Sequence, residues 1–145
     1  MKTTIVCGLL GAGKTTYLQN ALRTTTEKVV VIVNDFGSVG IDQEILSAHD
    51  IEAARKGLKR VKTILSAGVY QVVILEEANI ATKYGLFSVQ DLLSVMLAKP
   101  DTVELVITGR GASPRIIENA DLVTEMKAVK HYYQKGIRAR IEIET

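Results

Sequence analysis

Short apolar runs alternate along this chain with segments whose apolar residues recur every three or four positions. Thr3 to Cys7 is β-rich and predicts a strand, and Lys14 to Arg23 predicts a helix with Leu18 and Leu22 on one face. Lys28 to Asn34 reads as a strand buried on both faces. Ile51, Ala54, Leu58, Val61 and Leu65 step by threes and fours, the mark of an amphipathic helix, which Gly68 ends. Gln71 to Leu75 is a third strand. Val89, Leu92, Leu93, Met96 and Leu97 form another helical face, stopped by Pro100. Val103 to Thr108 predicts a strand that runs into Gly109-Arg110-Gly111. Ser113 is placed to cap a short helix whose first position is Pro114. Leu122 to Met126 is a fifth strand. Ile137, Ala139, Ile141 and Ile143 alternate with polar and charged residues, as in a sixth strand at a sheet edge.

Strands of this kind, apolar throughout and separated by helices, predict an α/β fold. The expectation is a doubly wound three-layer sandwich with a mostly parallel sheet of five or six strands and right-handed crossovers. In such sheets the ligand lies outside the carboxyl ends of the strands. Gly8–Gly13, Asp35–Asp42, Glu76–Asn79 and Gly109–Gly111 all fall at such ends. Length and composition fit one domain over residues 1–145: the chain has 145 residues, of which 47% are apolar. Charged residues are 23% and the net charge is +2, which gives no support for nucleic acid as a partner. Cys7 is the single cysteine, so no internal disulfide forms, and its place on a strand suits the core. Ile5 to Leu10 is too short an apolar run for a signal peptide, and no stretch is long enough to span a bilayer. A cytoplasmic protein without a membrane partner is expected.

The first strand leads into Gly8-Leu9-Leu10-Gly11-Ala12-Gly13-Lys14-Thr15-Thr16, which fits the phosphate-loop pattern G-x-x-x-x-G-K-[ST] in its strand–loop–helix setting. Glycines let the backbone curl so that successive N–H groups point at one anion. Lys14 adds a mobile cation for the outer phosphates, and Thr15 offers a hydroxyl to Mg²⁺. The following helix turns its positive end to the same anion. Val72 to Leu75 then delivers Glu76 and Glu77 to the end of a strand, where an acidic residue holds Mg²⁺ directly or through water in nucleotide sites. If the strand's alternation continues, only one of the pair faces the site. Capping of the next helix is the alternative role for either. The fold expected is therefore that of a P-loop NTPase.

Two resemblances cover different parts of the chain. Residues 1–48 resemble P-loop GTPases of metal insertion and cobalamin metabolism. The carriers are Ile5 to Thr16 and Val33-Asn34-Asp35-Phe36-Gly37-Ser38-Val39-Gly40-Ile41-Asp42. Residues 51 to 144 resemble the P-loop ATP:corrinoid adenosyltransferases, through Val73-Ile74-Leu75-Glu76-Glu77-Ala78-Asn79-Ile80-Ala81, Lys83-Tyr84-Gly85, Ile107-Thr108-Gly109-Arg110-Gly111-Ala112, Ala120 to Met126 and Val129-Lys130-His131. The GTPase resemblance stops there: no Asn-Lys-x-Asp is present to read guanine and no cysteine-rich metal motif exists.

The adenosyltransferase resemblance implies ATP and Mg²⁺, with a corrinoid as substrate: reduced cobalt attacks the ribose 5′ carbon and triphosphate leaves. It makes Gly8, Gly11, Ala12, Gly13, Lys14, Thr15 and Thr16 the nucleotide cradle, with Thr16 at the innermost phosphate. Thr15 and Glu77 become the metal partners, Glu77 matching the family's Glu and Glu76 standing where Asp is usual. Arg110 is either a phosphate or substrate contact or a turn arginine in solvent. His131 and Lys130 read as polar residues at an element end, and Tyr84, Tyr132 and Tyr133 either stack on a ring or pack. Asp35 and Asp42 are switch-like metal contacts by the GTPase resemblance, or loop and cap residues. The family's corrinoid-covering segments are expected to be lacking, since seven residues precede Gly8 and Asp42–Ile51 alone joins the second strand to the next helix. Three readings stay open: a transferase, a chimera of two P-loop families that grips nucleotide or phosphate with little catalysis, and a metal-insertion-type GTPase, disfavoured by the missing guanine motif. A homodimer is compatible with each.

Overall fold

The computed structural model describes residues 3–8, 13–32, 48–127 and 129. Along them run β1 (Thr3–Gly8), α1 (Lys14–Thr24), β2 (Val29–Ile32), α2 (Ala48–Ala67), β3 (Val72–Leu75), α3 (Ala78–Lys83), α4 (Val89–Ala98), β4 (Glu104–Thr108), α5 (Pro114–Glu118) and β5 (Leu122–Met126). The strands form one sheet in the order β2-β3-β4-β1-β5, with every pairing parallel. Parallel neighbours need crossovers, and α1, α2, α4 and α5 lie within them.

Alternation along each strand sends side chains to opposite faces. Ile5, Val73, Leu75, Leu105 and Ile107 enter a large core with Ala54, Val61 and Leu65 of α2, Leu92, Leu93, Val95 and Met96 of α4, and Ile116 of α5. Val6, Ile74 and Val106 face the other way and meet Leu18 of α1. Among the described residues the second layer of that face is α1 alone. Beside it lies a trough of about 220 Å³ at the amino-terminal edge of the sheet, bordered by Thr4, Tyr17, Leu22, Glu104 and Leu122. The three-layer α/β arrangement expected from the apolar pattern is therefore present, with unequal outer layers.

The differences from the sequence reading have local causes. Among the described residues β2 is an edge strand, and it is not buried on both faces, with Val31 38% exposed. Gln71 and Val103 lie just outside their strands; Gln71 instead brackets the edge, its Oε1 accepting from the Lys28 N–H at 2.9 Å and its carbonyl from the Glu104 N–H at 2.8 Å. Leu97 is 74% exposed because it falls past the arc of α4 that Leu92, Val95 and Met96 bury. Ser113 makes no side-chain cap; its carbonyl accepts from the Ile116 and Ile117 N–H groups instead. Ser88 is a cap that periodicity does not reveal: its hydroxyl accepts from the Asp91 N–H at 3.0 Å while the Asp91 carboxylate takes the Ser88 N–H at 2.8 Å. Gly68 ends α2 with φ +64, as its position after the apolar stripe predicts. The expected sixth strand over 137–143 lies outside the described residues.

Candidate nucleotide site

β1 delivers the chain to Gly8 at the carboxyl edge of the sheet, beside Met126 of β5. α1 begins at Lys14, directly after Gly13, whose φ of 89° lies in the left-handed region. A Cβ at Gly13 would be strained there and would stand 3.4 Å from Met126 Cε. The Gly13 carbonyl accepts the first helical bond, from the Tyr17 N–H at 2.9 Å. Among the described residues no side chain caps this helix and its first turn holds no acidic residue, which leaves its positive end open to an anion. Lys14 is 8% exposed, while Thr15 and Thr16 are exposed on the first turn. Gly11 and Ala12 lie outside the described residues, as do Asp35, Asp42, Lys130, His131, Tyr132 and Tyr133.

The acidic pair does not continue the strand. β3 ends at Leu75, and Glu76 and Glu77 form a turn into α3, so strand alternation does not decide their directions. The Glu76 N–H donates to Ile32 O at 3.0 Å, and Glu76 borders a cavity of about 30 Å³ with Gly57, Leu58 and Phe87 beneath α2. Glu77 has φ 56 and ψ 19 and is the non-glycine residue with positive φ among those described. Such a conformation costs about 1–2 kcal/mol and persists where surroundings enforce it. Its Oε1 lies 3.7 Å from Lys14 Nζ. The structure thus brings together the loop lysine and Glu77. Thr15 stands one residue along α1 from that pair, and Arg110 is exposed beyond Gly109. Tyr84 is half-buried at the carboxyl end of α3.

Two further residues at this edge were not among the sequence candidates. Thr108, 1% exposed, ends β4 and accepts the Glu77 N–H on its hydroxyl at 3.0 Å. Asn79 is fully buried; its Nδ2 donates to Gly109 O at 3.3 Å, and its Oδ1 has no partner among the described residues. The signal for Thr108 was available: a hydroxyl closing an apolar run just before a glycine. Asn79 was placed by the sequence only as the last residue of a polar segment at a strand end; its complete burial carried no signal, because a polar residue at a helix start reads as exposed.

Cys7 is half-buried at the same edge, its thiol reaching Thr124 O at 3.5 Å. Desolvation, and after it the Glu125 carboxylate, push this thiol above its ordinary pKa, which suits a packing role. Among the described residues no group of three or more His, Cys, Asp or Glu is gathered to hold a metal ion. The donor set beside Lys14, one carboxylate and a helix-start hydroxyl, suits a hard cation that takes its other ligands from phosphate and water.

Residues 8–145 match the profile of ATP:corrinoid adenosyltransferase BtuR/CobO/CobP. The chain belongs to the ATP:corrinoid adenosyltransferase family. Within this family it is similar to the corrinoid adenosyltransferase of Pseudomonas aeruginosa, with 40% identity over 96 residues, 66% of this chain and 47% of that protein. It spans about half the length of the curated adenosyltransferases it matches. A shorter likeness, 53% identity over 52 residues, is to the zinc chaperone CobW of Pseudomonas aeruginosa and covers 35% of this chain and 14% of that protein. Among solved structures, a DNA replication initiation factor is similar with a TM-score of 0.48 and 14% identity, over 86% of this chain and 40% of that one. No described helix of this adenosyltransferase-family chain is long and apolar enough to cross a membrane.

Proposed function

We propose that this chain binds Mg–ATP at the carboxyl edge of its sheet and supplies the nucleotide half of corrinoid adenosyl transfer. One observation carries the reading: Lys14 Nζ and Glu77 Oε1 stand 3.7 Å apart, so the cation for the outer phosphates and a carboxylate for a metal meet at one point. The uncapped start of α1 adds a fixed positive end. Thr15 and Glu77 would hold Mg²⁺, with Glu76 one residue away. Bound there, Mg²⁺ would neutralise charge on the triphosphate as it leaves. Lys14 and the loop amides would do the same for the outer phosphates, and Arg110, exposed beyond Gly109, would be a cation for the nucleotide or the corrinoid. The chain contributes positioning and charge stabilisation, and the reduced corrinoid is itself the nucleophile.

A second reading is favoured by the pair of partial likenesses, 52 residues to a zinc chaperone and 96 to an adenosyltransferase. In that reading the chain is a chimera of two P-loop families and holds triphosphate with little catalysis. Titration calorimetry with ATP, GTP and tripolyphosphate, each with Mg²⁺, separates the two, beside an assay for adenosylated cobalamin from the reduced form. Tight ATP binding with product supports the transferase. Equal affinity for all three ligands without product supports the scaffold. A strong GTP preference would overturn both.

A further inference from the structure

Between the two halves of the site runs β4, and its last residue joins them. Thr108 is paired in register with Val6 of β1, two residues before the phosphate loop leaves the sheet at Gly8. On its other side the Thr108 hydroxyl accepts the Glu77 N–H. Glu77 is left-handed, and three ties hold it so, all running to the exit of β4. The hydroxyl fixes its N–H. Gly109, at φ +120, lies so close that a Cβ there would stand 3.2 Å from Glu77 Cα and 3.2 Å from Asn79 Cβ. The Asn79 amide holds the Gly109 carbonyl from the first turn of α3. Backbone strain at a ligand edge, held by named neighbours, is a form of preorganisation.

We propose that Thr108 is a positioning residue for the metal-side carboxylate: its hydroxyl holds the Glu77 backbone left-handed and thereby aims the Glu77 side chain at Lys14 and the nucleotide's metal. Without that acceptor the Glu77 N–H loses its partner, and the strained turn relaxes toward the extended conformations a glutamate prefers. The carboxylate then swings off the line to Lys14. A merely structural Thr108 would affect how firmly the chain folds and leave the metal dependence of binding alone. The inference rests on the Mg–ATP reading, so one of its tests uses no nucleotide.

The test compares the full chain with Thr108→Val and Thr108→Ser. In the ligand-free proteins, hydrogen exchange of the Glu77 amide is followed by NMR. It should be at least about ten-fold faster in Thr108→Val than in the parent and return to the parent rate in Thr108→Ser. In calorimetry, the gain in ATP affinity on adding Mg²⁺ should shrink about ten-fold in Thr108→Val, the size usual for losing an outer-shell partner, and recover in Thr108→Ser. Affinity for metal-free tripolyphosphate should not fall, because Lys14 remains and the carboxylate beside it has moved away. Equal exchange rates, an unchanged Mg²⁺ gain, or a serine variant that fails to recover would overturn the proposal. If the valine variant does not fold by circular dichroism, Thr108→Ala replaces it with the same outcomes. If the parent binds no nucleotide, the Mg–ATP reading falls, and the exchange rates alone decide on Thr108.

Discussion

Among the described residues the two faces of the sheet carry unequal loads. On one, α2, α4 and α5 close a continuous core around Ile5, Leu105 and Ile107. On the other, α1 covers a cluster of Val6, Leu18, Ile74 and Val106 and leaves an open trough at its side. The candidate site draws one half from each. Its acidic half stands on β3 and α3, whose Leu75, Ala78 and Ala81 belong to the large core. Its phosphate half is the start of α1, anchored by Leu18 on the thin face. Most of the burial among the described residues is therefore remote from the helix proposed to bind phosphate. Global stability and phosphate binding should respond to different substitutions.

The largest effect expected is on binding alone. Lys14→Ala should weaken Mg–ATP binding by roughly a hundredfold or more, the scale of removing one member of a buried charge pair, with an unchanged circular dichroism spectrum. Unchanged affinity in calorimetry would place the nucleotide elsewhere. Next come the two cores. Leu92→Ala, at a fully buried position on the thick face, should cost about 3–5 kcal/mol in urea unfolding. Nucleotide affinity, measured where the variant stays folded, should hardly move. Leu18→Ala, at a position 6% exposed, should cost less, about 2–3 kcal/mol, and should also weaken nucleotide binding by loosening α1. If both leucines behave alike in both measurements, the two faces are energetically one.

The smallest effect sharpens the thick side. Ser88→Ala should cost about 1 kcal/mol through the lost cap of α4. The Ser88 hydroxyl, and after it the Ser88 N–H, hold the Asp91 carboxyl below the ordinary carboxylate range. A depressed folded pKa means that the stabilisation is present above the unfolded value, about 3.9 for Asp, and is lost as pH falls through the folded value. By thermal unfolding, the difference between the parent and Ser88→Ala should therefore be larger at pH 7 than in acid, where only the bond from the Asp91 N–H to the Ser88 hydroxyl remains to be lost. A difference of the same size at both pH values would mean that the Asp91 carboxylate takes no part in the cap.

The fold was legible to the degree that one residue type decided one position. Apolar runs named β1, β3 and β4, and the stripe from Ile51 to Leu65 named α2, because burial on both faces or along one helical arc leaves a direct trace in the sequence. β2 misled, since Val29 to Ile32 is as apolar as a central strand yet lies at an edge; strand order is a property of the whole sheet. Leu97 misled because a periodic pattern does not say where the covering layer ends. That Lys14 and Glu77 stand at the carboxyl edge of the sheet was legible from the loop pattern and strand-end placement. The turn that carries Glu77 was not: strand periodicity assumes an extended backbone, and the left-handed conformation depends on Thr108 and Gly109, some thirty positions away in the sequence. Sequence patterns report contacts along one element well and contacts between strand exits poorly.

The order of the strands also bears on how this protein is made. β1 is flanked by β4 and β5, with Thr3 beside Leu105 and Thr4 beside Leu122. Ribosomes add about 5–20 residues per second, so the strand that will sit between two neighbours emerges seconds before either of them exists. Both its hydrogen-bonding edges wait through that interval, the period in which an apolar segment such as Ile5-Val6-Cys7 is exposed to wrong partners or to chaperones.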